Sequence, residues 1–223
     1  MTSAPRPALS HVIWDWNGTL FDDFDLTAVV AARTMERMGQ PGVTAEHIRD
    51  SFRRPFSEFY ARLLGRPVTA EEFTFIRRHY ESGYDAEVLT QLLQPDASAA
   101  LDLLEASGAS QSLLSMAHDG QLQQLVDHHD IRSRFVRIEG SPTTDSDGNK
   151  AARMGRHLQA MGVDPTATVA IGDTVDDHEA AQANGARSVL VTTGSTSRSQ
   201  LEATGAPVVD TLLAAATLSL ESS

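Results

Sequence analysis

Asp15 ends a short apolar run, His11-Val12-Ile13-Trp14, and a Gly18-Thr19 turn follows almost at once. Asp173 stands in the same way after Thr168-Val169-Ala170-Ile171-Gly172. Both runs are rich in strand formers, so each acid is expected at the C-terminal end of a strand, where parallel α/β sheets bind ligands. Parallel strands point their C-termini the same way, which lets the two carboxylates converge. Converging carboxylates repel each other unless a cation lies between them, and a hard divalent ion with oxygen ligands, Mg2+, suits that role. Asp177, four residues past Asp173 at the start of a helix, is placed to hold such an ion through a bound water.

Further groups complete an anion pocket. Ser115 is expected at the end of the strand Ser112–Ser115, where it offers a hydroxyl. Lys150 follows Asp147-Gly148-Asn149 near a helix N-terminus, and its ammonium suits both phosphate and carboxylate. The backbone N–H groups of Trp16 and Asn17 are available to phosphate oxygens. In this pattern Asp15 reads as a nucleophile for phosphoryl transfer.

The elements that must position these groups alternate. After the strand at 11–15, a helix is expected over Leu26–Met38, stopped by Gly39 and Pro41. Residues 44–93 read as several helices without a strand. They carry Phe52, Phe56, Phe59, Tyr60, Leu63 and Leu64 at helical spacing, and Phe73, Phe75, Ile76 and Tyr80 extend the pattern. From Pro95 onward, helices at about 96–107, 121–130, 149–161 and 179–184 alternate with strands at 112–115, 135–138, 168–171 and 188–191. Such alternation implies a doubly wound, Rossmann-like parallel sheet with helices on both faces. The expected organisation is a core of 1–22 and 96–223 and an inserted all-helical cap of 23–95.

Bulk properties narrow the function. A chain of 223 residues forms one domain, or one domain with an insert. Its formal charge of −12 argues against nucleic-acid binding. The absence of cysteine excludes disulfides, thiolate catalysis and Cys-ligated metals. No stretch is apolar enough to span a membrane, and Met1–Ser10 lacks the pattern of a signal peptide, so a cytoplasmic protein is expected. The adjacent His128 and His129 point to different faces of a helix, which favours a surface role for them and for His178 over zinc binding. The aromatic block is expected to form a small core of its own. Arg53 and Arg54 read equally as a contact for an anionic substrate and as a solvated helix end.

The order Asp15…Asn17-Gly18-Thr19-Leu20, then Ser115, then Lys150, then Gly172-Asp173-Thr174…Asp177 resembles the four motifs of the haloacid dehalogenase-like (HAD) hydrolase superfamily. The helical block after the first strand resembles the cap of its phosphoglycolate phosphatase-like members. The resemblance implies a Mg2+-dependent phosphatase acting on a small phosphorylated metabolite through an aspartyl-phosphate. Asp15 would be the nucleophile, with Lys150 as its catalytic partner. Trp16, Asn17, Ser115 and Lys150 would bind phosphate, and Asp15, the Asn17 carbonyl, Asp173 and Asp177 would hold the metal.

One departure stands out. Family phosphatases usually carry an Asp two residues past the nucleophile, as general acid and base; this chain has Asn17, which cannot titrate. Losing a positioned acid/base typically costs roughly 10²–10⁴ in rate. Three alternative outcomes are open: slow turnover, a preference for acyl or aryl phosphates, or a proton from elsewhere, such as His118 or the cap. A non-catalytic phosphate-ester-binding or regulatory protein is the alternative reading. A dehalogenase fits less well, because those enzymes are metal-free. Oligomeric state is not legible in the sequence.

Overall fold

In a computed structural model, the structure describes residues 8–142 and 149–221. Residues 1–7 of the N-terminal arm and the Asp147-Gly148 turn before Lys150 lie outside the described residues. Strands β1 (His11–Trp14) and β2 (Phe21–Asp22) lead into helices α1 (Phe24–Arg37), α2 (Ala45–Ser51), α3 (Phe56–Leu64) and α4 (Ala70–Asp85), and β3 (Leu92–Leu93) closes that stretch. There follow α5 (Ala97–Ala106), β4 (Ser110–His118), α6 (Asp119–His128), β5 (Arg137–Ser141), α7 (Lys150–Met161) and β6 (Thr168–Gly172). The chain ends with α8 (Val175–Ala183), β7 (Arg187–Val191), α9 (Arg198–Glu202), β8 (Val208–Val209) and α10 (Leu212–Glu221).

Six strands form one sheet in the order β5-β4-β1-β6-β7-β8, with every neighbouring pair parallel. All of β1 and all of β6 are buried, as expected for strands covered on both faces. Alternate β1 residues face opposite layers. Val12 and Trp14 pack with Leu101 and Leu104 of α5, Leu125 of α6 and Leu212 of α10. Ile13 packs with Met154 and Leu158 of α7 and Ala180 of α8. This is the doubly wound α/β architecture that the alternating pattern implied. The chain first builds outward from β1 to β4 and β5, then returns to β6 and builds the other way. The switch point therefore falls between β1 and β6, where ligand crevices form.

The helices α1–α4 have an apolar cluster of their own, including Phe24, Met35, Ile48, Phe59, Leu63 and Ile76. Expectation and structure differ at the ends of this stretch. The sequence pattern predicts no strand there, yet β3 lies within it and pairs antiparallel with β2, Phe21 opposite Leu93. Two-residue strands show no alternation, so nothing in the pattern reveals them. A second difference concerns β4, which runs on to His118 rather than ending at Ser115. Between the pairs Leu114–Glu139 and His118–Ser141, β4 advances four residues while β5 advances two, so β4 bulges over Ser115–Ala117. Ser115 sits in this bulge, and its Oγ accepts from the Ala117 N–H at 3.0 Å. Among the described residues, no helix is long and apolar enough to cross a membrane.

A polar chain runs through the buried base of the sheet. His11 bonds Ser110 Oγ (2.7 Å) and Ser112 Oγ (2.8 Å). His157 bonds the same Ser112 Oγ (2.9 Å) and Glu139 (2.9 Å). Burial, helped by the neighbouring His157, holds the His11 ring down at about 4. An unfolded chain protonates that ring at about 6.5, so between these values the unfolded state binds more protons. Stability is then full above about pH 6.5 and falls as the pH drops toward 4. The expected loss from His11 is about 3 kcal/mol, measured by urea unfolding across that range, and a His11→Gln variant should flatten the profile.

Candidate active site

Asp15 leaves the end of β1 at the switch point, tethered by its N–H to the Ile171 carbonyl of β6 at 2.9 Å. The register sets Trp14 opposite Ile171, so the acids that follow the two strands emerge side by side. Single carboxylate oxygens of Asp15, Asp173 and Asp177 all lie within 4.8 Å of one another. Lys150, the first residue of α7, is buried between them. Its Nζ donates to Asp15 Oδ1 at 2.7 Å and pairs with Asp177 Oδ1. The Asn149 side chain caps α7 by accepting from the Ala152 N–H, which fixes where that lysine starts.

The surroundings show what it takes to bury three acids. Asp173 accepts from Thr19 Oγ1 (3.1 Å) and from the Ser195 N–H (2.7 Å). The second oxygen of Asp177 accepts from the N–H (3.0 Å) and Oγ1 (2.6 Å) of Thr174. Burial raises Asp15 to about 6; Lys150 opposes this and Asp177 adds to it. Asp173 is pushed well upward by burial, then by the charges of Asp15 and Asp177. Lys150 is driven up by both acids against its own burial. One ammonium among three carboxylates leaves an excess of negative charge, and the donor set is all oxygen. Both features fit a hard divalent cation.

Glycines make the packing possible. A Cβ on Gly172 would stand 2.1 Å from Asp177 Cγ, and one on Gly194 would stand 1.9 Å from Asp173 Oδ2. Gly18 has φ +67°, and a Cβ there would meet Asp173 Oδ2 at 2.7 Å.

Position 17 has an unforeseen setting. Asn17 Nδ2 donates to Asp23 Oδ2 (2.7 Å) and to Tyr84 Oη (2.9 Å). Tyr84 in turn donates to Asp23 Oδ2 at 2.6 Å, and the Gly18 N–H donates to Asp23 Oδ1 at 2.8 Å. Burial raises Asp23, while these three donors hold it as an acceptor. The amide orientation follows: turning the Asn17 oxygen toward Asp23 would oppose two acceptors.

The structure thus brings Asp15, Lys150, Asp173 and Asp177 together. Trp16 directs its N–H at the Asp15 carboxylate, while its side chain is fully buried and stacks on Phe21 at 4.9 Å. Asn17 lines a cavity of about 430 Å³, which Asp23, Tyr84, His118 and Ser195 also line. Arg53 pairs with Glu58 on the surface, whereas Arg54 pairs with Asp176 at 3.2 Å and faces the cavity. His129 packs against Trp16 and Phe21, and His178 bonds Ser188 Oγ at 2.8 Å. Among the described residues, the three aspartates are the one cluster suited to a metal. The aromatic block does form a core, but Phe52, Phe56, Phe59, Tyr60 and Phe73 also wall the cavity. Asp23, Tyr84, Gly194 and Ser195 were not singled out in the sequence.

The haloacid dehalogenase-like hydrolase family model matches residues 12–182, and a related HAD-hydrolase-like model matches 150–215. The chain belongs to the haloacid dehalogenase-like hydrolase family. The resemblance carried by the four motifs is borne out. A phosphoglycolate phosphatase of Vibrio parahaemolyticus is 23% identical over 190 residues, 82% of this chain and 83% of the relative. One from Aliivibrio fischeri is 24% identical over 190 residues, 82% of this chain and 84% of the relative. Among solved structures, a protein from Clostridium acetobutylicum described as a predicted phosphatase superposes with a TM-score of 0.81 at 19% identity, covering 96% of this chain and 100% of the other. A haloacid dehalogenase-like family protein from Streptococcus pneumoniae gives 0.75 at 22% identity, covering 91% and 93%. These likenesses establish the HAD fold over nearly the whole chain.

The contact at Gly172 is directly testable. Gly172→Ala should displace the Asp177 carboxylate and lower unfolding free energy by about 1–3 kcal/mol in urea titration, as other overpacked sites do.

Proposed function

We propose that this HAD hydrolase is a Mg2+-dependent phosphatase for a small phosphate monoester, working through an aspartyl-phosphate on Asp15. The observation that supports this most is the Asp15–Lys150–Asp177 cluster at the sheet's switch point, with Asp173 beside it. The two curated relatives are named phosphoglycolate phosphatases, which favours a phosphate ester as substrate. In this reading residues 23–95 serve as a cap over a core of 1–22 and 96–223.

A carboxylate oxygen of Asp15 attacks phosphorus as the bond to the ester oxygen breaks, and that oxygen leaves with the bonding electron pair and takes its proton from water. Water then attacks phosphorus, the bond to Asp15 breaks, and inorganic phosphate departs. Lys150 holds Asp15 in its attacking position and offsets charge on the transferring group. The Ser115 hydroxyl and the Asn17 N–H hold phosphate oxygens, and the Trp16 N–H, which faces the Asp15 carboxylate, joins them as the phosphoryl group arrives on Asp15. Asp15, Asp173, Asp177 and the backbone carbonyl of Asn17 would hold Mg2+. When bound, that ion supplies charge neutralisation between phosphate and carboxylates. The aromatic cavity receives the rest of the ester and keeps water from the reacting centre.

The amide at position 17 also favours a second reading, phosphate-ester binding without turnover. One experiment separates the two. The wild-type chain with Mg2+ is expected to release phosphate and to give an acid-stable phosphorylated species on rapid quench; Asp15→Asn should do neither. Binding with no phosphate release from the wild type would support the second reading. Mg2+ is expected to raise the melting temperature of the wild-type chain, and Asp173→Asn should lose that rise.

A further inference from the structure

The cavity in front of Asn17 has a chemistry of its own. Its walls carry Phe52, Phe56, Phe73, Tyr80, Tyr84 and Met116. Its charged and polar groups are largely engaged within the protein. Arg54 pairs with Asp176 (3.2 Å) and Arg77 with Glu81 (3.3 Å). Gln121 donates to Asp85 (2.7 Å), Tyr80 to Thr27 (3.2 Å) and Tyr84 to Asp23 (2.6 Å). A small carboxylate-bearing ester would leave most of about 430 Å³ unfilled and would compete with acids that already hold these arginines. Ring faces and edges, by contrast, suit a flat aromatic group.

A second, independent observation concerns the leaving oxygen. An amide nitrogen carries two hydrogens, and Asn17 spends them on Asp23 and Tyr84. Nothing is left on that side chain to donate to a departing alkoxide. The ester must then carry an oxygen that leaves well without a proton, as a phenol oxygen does.

From these two observations, and on the basis of the phosphatase reading above, we infer that the substrate class is aryl phosphate monoesters whose ring occupies the cavity beneath α3 and α4. The phosphorus–oxygen bond breaks as Asp15 bonds phosphorus. The electron pair leaves on the phenolate oxygen, which takes its proton from water.

A panel of three esters and one acyl phosphate tests each half of this inference on the wild-type protein with Mg2+. 1-Naphthyl phosphate has both the ring and the good leaving group. Benzyl phosphate has the ring but leaves as an alkoxide. Acetyl phosphate leaves well but has no ring, and 2-phosphoglycolate has neither. The expected result is a kcat/KM for 1-naphthyl phosphate more than tenfold above that for benzyl phosphate, with a KM more than tenfold below that for acetyl phosphate. Its kcat/KM should exceed that for 2-phosphoglycolate by a larger factor still. A benzyl kcat/KM within tenfold overturns the leaving-group half, and a His118→Gln variant that abolished it would place the proton on His118. An acetyl phosphate KM, or a phosphoglycolate kcat/KM, within tenfold overturns the aromatic half. If no ester releases phosphate in an Asp15-dependent way, the phosphatase reading itself fails.

The exchange Asn17→Asp with Asp23→Asn keeps the hydrogen bond between these positions while setting a titratable group at 17. It should raise kcat/KM for benzyl phosphate by roughly 10²-fold or more, the usual contribution of a general acid, and for 1-naphthyl phosphate by less than tenfold. Equal gains on both esters would overturn the assignment of position 17.

Discussion

Three carboxylates and a single ammonium are buried together at one sheet edge, and the rest of the molecule is arranged around that imbalance. Taking a charge out of water costs several kcal/mol per ion even after relaxation, so each acid must be surrounded by donors. Lys150 serves two of them, Thr19 and Ser195 serve Asp173, and Thr174 serves Asp177. The approach is close enough that Gly18, Gly172 and Gly194 have no room for a side chain. The residual negative charge, on an all-oxygen donor set, suits the site to a cation. The fold tolerates that excess because the sheet, covered on both faces, supplies the stabilising burial.

The helical stretch contributes to this centre. Tyr84 of α4 reaches the Asn17–Asp23 pair, so a residue from these helices helps set what position 17 can donate. Arg49 of α2 donates to the Gly194 carbonyl at 2.9 Å, beside the residue whose N–H holds Asp173. Arg54 meets Asp176, next to Asp177. Each contact links the position of the helices to a backbone segment that fixes an acid.

Much of the site is legible in the sequence because strand ends advertise themselves. An apolar run that stops at an acid locates Asp15 and Asp173, and a helix start locates Lys150 and Asp177. The doubly wound sheet follows from the alternation of such runs with helical ones. Other parts carry no such mark. Ser195 acts through its N–H and Gly194 through a missing side chain, neither of which has a residue-type signature. Asp23 precedes a helix, where acids are common, and only the fold brings Tyr84 to it. The bulge at Ser115 depends on how β4 meets β5, a long-range pairing beyond local pattern. Two-residue strands such as β2 and β3 lie below the length at which alternation is visible.

That short ribbon has a consequence for how such proteins diversify. The chain leaves the sheet through β2 and returns through β3, one strand spacing away, about 4.8 Å. Any folded segment whose two ends lie that close can be spliced in at this doorway without disturbing a single residue of the six-stranded sheet. Only the few helical residues that reach the acids, Arg49, Arg54 and Tyr84, then tie such a segment to the centre.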